Sequence, residues 1–506
     1  MGIRLRYVGL VSYISQLFGV LTGALFILLV TRNLTVGEFG EWKIASLLIS
    51  YSTFISSVIP YWVTRFRARG YKSSTITGLI LNIFLSIPFS TGFILAIPFL
   101  TKTLSVDSSI LYIATLYVPA TYVLNLLTAH AGAVHPEAVA YSSMLFEVTK
   151  LLLGYILIQI FRISLSGVMT AVLSAMLIQL SFLLLLAFQD LRNPIDWEMA
   201  KKWIKMSWIQ VYSSGGGMLM NLDMLLLVTL VKSEEAAALF SVGLVFSSLI
   251  AYSESLASGL YPKLLEKSGG IAESEEALRL SLLFAIPSTS GILALSPFLL
   301  YLFKPDYVVA EHILRIMALT GSLNVLITIL NAILSGVEEK DVETTAFKEL
   351  VRSNIFTVSS LLYIRSCISL PLIYIFITSV MTFLSANDLI VWSAFWAQVG
   401  NLIATIVTLT IAYVKARKAL RFRFPWSDTV RFLAASLIMT LAILPLRPMK
   451  IRDTLAVAAL GATVYFSVLY LINNWFRALV SRAYRLLSTN RKIRKNKMSA
   501  FPIKYD

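Results

Sequence analysis

Long apolar runs separated by short polar turns fill the chain. They lie at roughly 8 to 31, 42 to 64, 76 to 100, 109 to 129, 140 to 161, 164 to 189, 205 to 231, 236 to 261, 279 to 303, 312 to 335, 354 to 381, 388 to 414, 428 to 446 and 453 to 475. Each is close to or above the ~20 apolar residues a helix needs to cross a bilayer. The pattern predicts an all-α polytopic membrane protein of about 14 transmembrane helices.

Polar residues inside these runs fall on stripes. Span 1 carries Ser12, Ser15, Gln16 and Gly19, and span 2 carries Ser46, Ser50, Thr53 and Ser57. Span 7 carries Gln210, Ser213, Ser214 and Asn221, and span 8 carries Ser247, Ser248, Ser255 and Ser258. At helical spacing each set shares a face. Such a face lines a polar cavity or serves small-residue helix packing; for span 2 taken alone the two readings are balanced.

A repeat organises the spans. Ile87-Pro88-Phe89-Ser90-Thr91-Gly92 with Pro98-Phe99-Leu100 is echoed, at one constant offset, by Ile286-Pro287-Ser288-Thr289-Ser290-Gly291 with Pro297-Phe298-Leu299. Upstream, at an offset one residue shorter, Val30-Thr31 aligns with Val228-Thr229, Trp42 with Phe240 and Arg65 with Lys263. Helix-breaking residues that keep their spacing point to duplication. The expected organisation is an N-lobe at 1–195, a C-lobe at 196–420, two added helices at 421–476 and a basic tail at 477–506. Six helices per half is an even number, so the halves share orientation about an axis along the membrane normal.

Composition agrees: 57% of residues are hydrophobic, 14% charged, and the mean hydropathy is +0.78. The formal net charge of +16 is explained by placement. Lys and Arg are in roughly three-fold excess on the side of the N-terminus, which predicts cytoplasmic termini in the cell membrane. Arg4 and Arg6 precede a first span too long for a signal peptide, which is read as a retained helix. The single Cys367 excludes an intrachain disulfide. Neither a Walker loop, nor HExxH, nor a serine-hydrolase elbow occurs, and His130, His135 and His312 lack metal-ligand spacing. The chain is not expected to be an enzyme.

Ionisable residues inside spans carry the functional candidates, because a charge there costs about 2.5 to 3.5 kcal/mol on insertion scales. Asp223 in span 7 suits a proton or Na⁺ site, with Asn221 as a second oxygen donor; a fixed salt bridge is the alternative. Glu254 in span 8 is a second coupling candidate. Arg365 in span 11 either pairs with an acid or receives an anionic substrate group. Glu147 and Lys150, three apart in span 5, can neutralise each other. Arg32, Arg65 and Lys263 sit at span ends, where they can meet an anionic headgroup. Trp197 to Trp208 reads as an interfacial amphipathic helix.

The stretch Phe26-Ile27-Leu28-Leu29-Val30-Thr31-Arg32-Asn33-Leu34-Thr35-Val36-Gly37-Glu38-Phe39-Gly40 resembles the opening of Wzx-type polysaccharide flippases. Asn221-Leu222-Asp223-Met224-Leu225-Leu226-Leu227, followed by Glu234-Glu235, is similar to the family's span 7. It departs from that pattern in having Met224 where a basic residue often follows, and in lacking a Gly near Val228. The resemblance covers spans 1 to 12 and implies membership of the MOP superfamily of flippases and multidrug antiporters. It further implies a V-shaped, MATE-like pair of six-helix lobes, with spans 1, 2, 7 and 8 lining a cavity open to each side in turn.

The expected function is therefore translocation of a polyprenyl-(pyro)phosphate-linked oligosaccharide for surface polysaccharide or glycoprotein biosynthesis, in contact with membrane lipids and glycan-assembly enzymes. Na⁺ or H⁺ coupling would act at Asp223 and Glu254. A cation-coupled multidrug antiporter is the alternative from the same superfamily, and a non-transporting membrane scaffold the alternative from another class.

Overall fold

The computed structural model describes residues 5–104, 106–257, 270–336, 353–383, 386–448 and 450–481. Among them there are helices and turns and no strand. In chain order the helices are α1 (Leu5–Asn33), α2 (Val36–Ser52), α3 (Val58–Ala68), α4 (Ser73–Leu104), α5 (Ser108–Val134), α6 (Pro136–Gly154) and α7 (Leu165–Leu191). They continue with α8 (Trp197–Met206), α9 (Trp208–Met220), α10 (Leu222–Val231), α11 (Glu234–Ala251), α12 (Ile271–Phe303) and α13 (Glu311–Gly336). The last four are α14 (Asn354–Phe383), α15 (Ala386–Leu420), α16 (Trp426–Ile443) and α17 (Ile451–Ile472). Twelve segments are long and apolar enough to cross a membrane, and the described part of the first helix adds a shorter apolar one. The protein is a multi-pass, all-helical membrane protein.

Two sequence-predicted spans differ from continuous rods. Span 2 is divided into α2 and α3 by turns at 53–57. Pro60 explains the break, since it has no N–H to give the Ser56 carbonyl four residues earlier. That carbonyl instead accepts the Asn82 amide at 3.1 Å, and the Ser56 hydroxyl accepts Asn125 Nδ2 at 2.8 Å. Span 7 is divided at Asn221 into α9 and α10. The glycines before this break have a packing reason. A Cβ on Gly215 would lie 2.7 Å from the Tyr363 hydroxyl, and one on Gly216 3.0 Å from Leu362 Cβ, so their absence admits α14 against α9. Tyr212 stacks on Tyr363 with ring centroids 4.5 Å apart.

Helices α1 to α7 pack mainly on one another, and α9 to α15 form a second bundle. The repeated prolines fall inside matching long helices, Pro88 and Pro98 in α4 and Pro287 and Pro297 in α12. Helices α16 and α17 pack on each other and on α12, where the Tyr465 hydroxyl donates to the Leu283 carbonyl at 2.9 Å. Helix α8 links the bundles and lies on the first. Its Trp203 is fully buried against Ile59, Trp62, Val63 and Leu126.

Candidate functional site

The main contact between the bundles is α2 against α11, at one end. The approach is closest at Gly40, where a Cβ would stand 2.0 Å from the Glu234 carbonyl oxygen. A capping box holds the start of α2: the Glu38 N–H donates to the Thr35 hydroxyl, and the Thr35 N–H to Glu38 Oε2 at 2.8 Å. Ser164 also donates to Glu38. Phe39 meets Tyr307 edge to face at 6.0 Å. Arg32 donates through Nε and Nη2 to the Leu302 carbonyl, at 3.3 and 3.1 Å. The turn between spans 1 and 2 is thus a seam between the bundles. Arg32, a sequence candidate for a headgroup, reaches across it.

From this seam the stripe runs along α2 through Ser46 and Ser50; Thr53 and Ser57, expected on the same helix face, lie instead in the turns at 53–57 beyond the end of α2. Ser46, Ser50 and Ser57 are exposed, and Thr53 is half-buried. Ser46 and Ser50 donate to the carbonyls of Trp42 and Leu47, and Thr53 donates to that of Ile49. With their protons given to their own helix, they present acceptor oxygens outward. Across from them the Tyr51 hydroxyl donates to the Asn221 carbonyl at 2.6 Å, at the break in span 7.

Lys43 heads this stripe. Its ammonium lies over the Trp42 ring at 4.5 Å and the Phe39 ring at 5.2 Å. Among the described residues no carboxylate forms an ion pair with it. Phe39 and Tyr51, on either side of Lys43 around the helix, both touch the second bundle, and Lys43 itself is half-buried. Sequence reasoning missed this residue by counting it with the loop charges. Its register with Ser46, Ser50 and Ser57 was the signal that could have found it.

The other candidates are distributed as follows. Ser15 is buried and donates to the Ala140 carbonyl at 3.0 Å, which ties α1 to α6. Thr22 extends this seam by donating to Glu147 Oε2 at 2.8 Å, and Glu147 Oε1 holds Lys150 at 2.7 Å. Gln210, Ser213 and Ser214 are half-buried on α9, and Asn221 is exposed. The buried Gln210 Oε1 has no hydrogen-bond donor among the described residues. Glu254 is half-buried in the turn after α11 and hydrogen-bonded to Thr328. Arg65 is exposed, its guanidinium 4.5 Å from the centre of the Tyr61 ring. Lys263 and the side chains of Ser12, Gln16 and Ser255 lie outside the described residues.

Arg365 is placed inside the second bundle, only 7% exposed. It donates from Nη1 to Asn324 Oδ1 at 2.8 Å and from Nη2 to Asn401 Oδ1 at 3.0 Å. Asn401 Nδ2 approaches Asp223 Oδ2 at 3.5 Å, and Asp223 Oδ1 accepts the Met224 N–H at 2.7 Å. Of the two readings left open for each residue, the geometry puts Arg365 and Asp223 in one network joined through Asn401. Asn401 was not singled out from the sequence. A second buried cluster was also missed: Arg67 pairs with Asp190, which lies 3.6 Å from His130, and His130 shares a hydrogen bond with Thr75.

Comparison with models of known protein families finds no match, and comparison with curated proteins finds none either. Solved structures do match. A structure described as the lipid II flippase MurJ in an inward closed conformation aligns with TM-score 0.66 at 14% identity, covering 94% of this chain and 99% of that one. An inward-facing multidrug resistance MATE family transporter of the MOP superfamily aligns with TM-score 0.56 at 15% identity, over 80% of this chain and 95% of its own. A MOP superfamily transporter from Pyrococcus furiosus, described as having a binding pocket of reversed polarity, aligns with TM-score 0.54 at 15% identity, over 82% and 96%. The chain has the fold shared by these MOP superfamily proteins.

Proposed function

We propose that the protein is an alternating-access flippase for a polyprenyl-(pyro)phosphate-linked oligosaccharide in the cell membrane, with both termini cytoplasmic. The observation that carries this reading is Lys43, a cation with no acidic partner among the described residues, at the head of the hydroxyl-bearing face of α2. An ammonium held over aromatic rings gains only about 0.5 to 2 kcal/mol from them. A phosphate beside it would form a charge-assisted hydrogen bond instead. The exposed hydroxyl oxygens of Ser46 and Ser50 can accept from sugar hydroxyls, which would otherwise cost several kcal/mol each to desolvate. The lipid tail stays in the bilayer, so the cavity need hold only the polar head.

The alternative of a cation-coupled drug antiporter calls for acids on the same faces. The described stripe on α2 carries none and presents a lysine. Arg65 and Lys263 are proposed as headgroup contacts on the cytoplasmic side, and Arg32 at the opposite seam.

The test is transbilayer movement of a labelled polyprenyl-phosphate oligosaccharide in proteoliposomes, with a cationic-dye antiport control. Wild-type protein is expected to move the glycolipid and not the dye. Lys43→Met should slow it about tenfold or more, in line with losing ~1.4 kcal/mol or more of headgroup binding, and Lys43→Arg should retain most of it. Dye movement without glycolipid movement would overturn the proposal.

A further inference from the structure

The carboxylate expected to bind a coupling ion shares its surroundings with a fixed cation. Asp223 on α10, Asn324 on α13, Arg365 on α14 and Asn401 on α15 meet inside the second bundle, so four helices each contribute one polar side chain. Their oxygens, one carboxylate and two amide carbonyls, are the hard-donor chemistry that alkali and other hard cations select. Both amide oxygens are already directed at the guanidinium, at 2.8 and 3.0 Å. Asn401 faces both charges: its Oδ1 accepts from Arg365 and its Nδ2 points toward Asp223. The cluster is neutral as a whole.

We infer that this cluster is a cation site whose occupant is the chain's own Arg365. A guanidinium stays protonated throughout the physiological range and presents planar donors to several oxygens at once. It therefore fills the site under all ionic conditions, which a diffusible ion does only above its dissociation constant. Asp223 is then a structural counter-charge, and conformational change in the second bundle requires no Na⁺ bound there. Which substrate crosses has no bearing on this site, so failure of glycolipid transport would leave it standing.

The first N-terminal bundle offers a parallel. Glu147 is neutralised by Lys150 and tied to α1 by Thr22, so there too a half-buried charge is balanced from within the chain. Each bundle carries its own counter-ion.

The test uses the full chain in detergent micelles, with thermal unfolding followed in choline chloride, NaCl and guanidinium chloride at low millimolar concentration and constant ionic strength. Wild-type melting should be indifferent to the cation. Arg365→Ala should melt several degrees lower and recover part of that loss in guanidinium, and to a lesser degree in Na⁺; Asp223→Asn combined with Arg365→Ala should show no recovery. Failure of folded Arg365→Ala to respond to any added cation would overturn the inference. Retention of radioactive sodium by the wild type decides the matter even if Arg365→Ala does not fold. Retention equal to that of Asp223→Asn supports the built-in cation, and saturable retention that Asp223→Asn abolishes overturns it.

Discussion

Tyr51 of the first bundle donates its hydroxyl to the main-chain carbonyl of Asn221 in the second, at 2.6 Å. The acceptor stands where span 7 breaks between α9 and α10. Asn221 is the N-cap of α10, so its carbonyl also takes the first bond of that helix, and the tyrosine adds a second donor from the partner bundle.

Tyr51→Phe should remove one contact worth about 0.5 to 1.5 kcal/mol without altering either bundle. Spin labels on Lys102 and Asp306 should then report a larger share of long distances. An unchanged distribution would mean that the hydroxyl contributes nothing to the state described.

The approach at Gly40 sets a stricter condition. A side chain there would collide with the Glu234 main chain, which cannot rotate away as a side chain can. Gly40→Val is expected to part the seam altogether, so the same label pair should lose its short-distance population while thermal stability falls only modestly. Retention of the short distance would show that α2 and α11 can slide to make room.

Asn82 is fully buried and gives its amide to two carbonyls, Ser56 at 3.1 Å and Tyr122 at 2.7 Å. Asn82→Leu leaves the Ser56 carbonyl without a donor, since Pro60 offers none, whereas the Tyr122 carbonyl keeps its bond within α5; an unmet buried carbonyl costs about 1 to 3 kcal/mol. A melting temperature within a degree of wild type would argue that α3 shifts to restore the bond.

For Glu147 and Lys150 the informative experiment is a cycle. Removing one partner of a fully buried pair typically costs about 3 to 5 kcal/mol, and this half-buried pair should lose less, whereas replacing both with apolar residues is often close to neutral. Glu147→Leu should therefore melt below wild type, and Glu147→Leu with Lys150→Met should recover much of the loss. Additive losses would show that the two act independently.

Helix number and the paired prolines were legible because period and helix breakers are local properties. The division of span 2 was partly legible, since Pro60 announces a missing donor, but the answering Asn82 and Asn125 come from other helices. The same limit applies to the buried charges. Asp223 and Arg365 were each conspicuous as ionisable groups in apolar sequence, yet the two are far apart in the chain, and Asn401 between them has nothing unusual about its neighbours. Register could have revealed Lys43, whereas its lack of an acidic partner is a three-dimensional fact. The Gly215-Gly216-Gly217 run reads as a weak helix from sequence, and the aromatic side chains that need its first two members become visible only with α14 in place.

Helix α8 bears on how the two bundles can move. Asp196 caps it by accepting the Met199 N–H at 2.9 Å, and the Asp196 N–H donates to Thr77 at 2.9 Å. At its other end Trp62 Nε1 donates to Ser207 at 2.9 Å. The linker is thus splinted to the first bundle along its whole length, and the turn at Asn193-Pro194 is no swivel. Rotation of one bundle about the other must then be taken up at the Ser207 to Trp208 junction, a single articulation whose short radius limits the arc through which span 7 can swing.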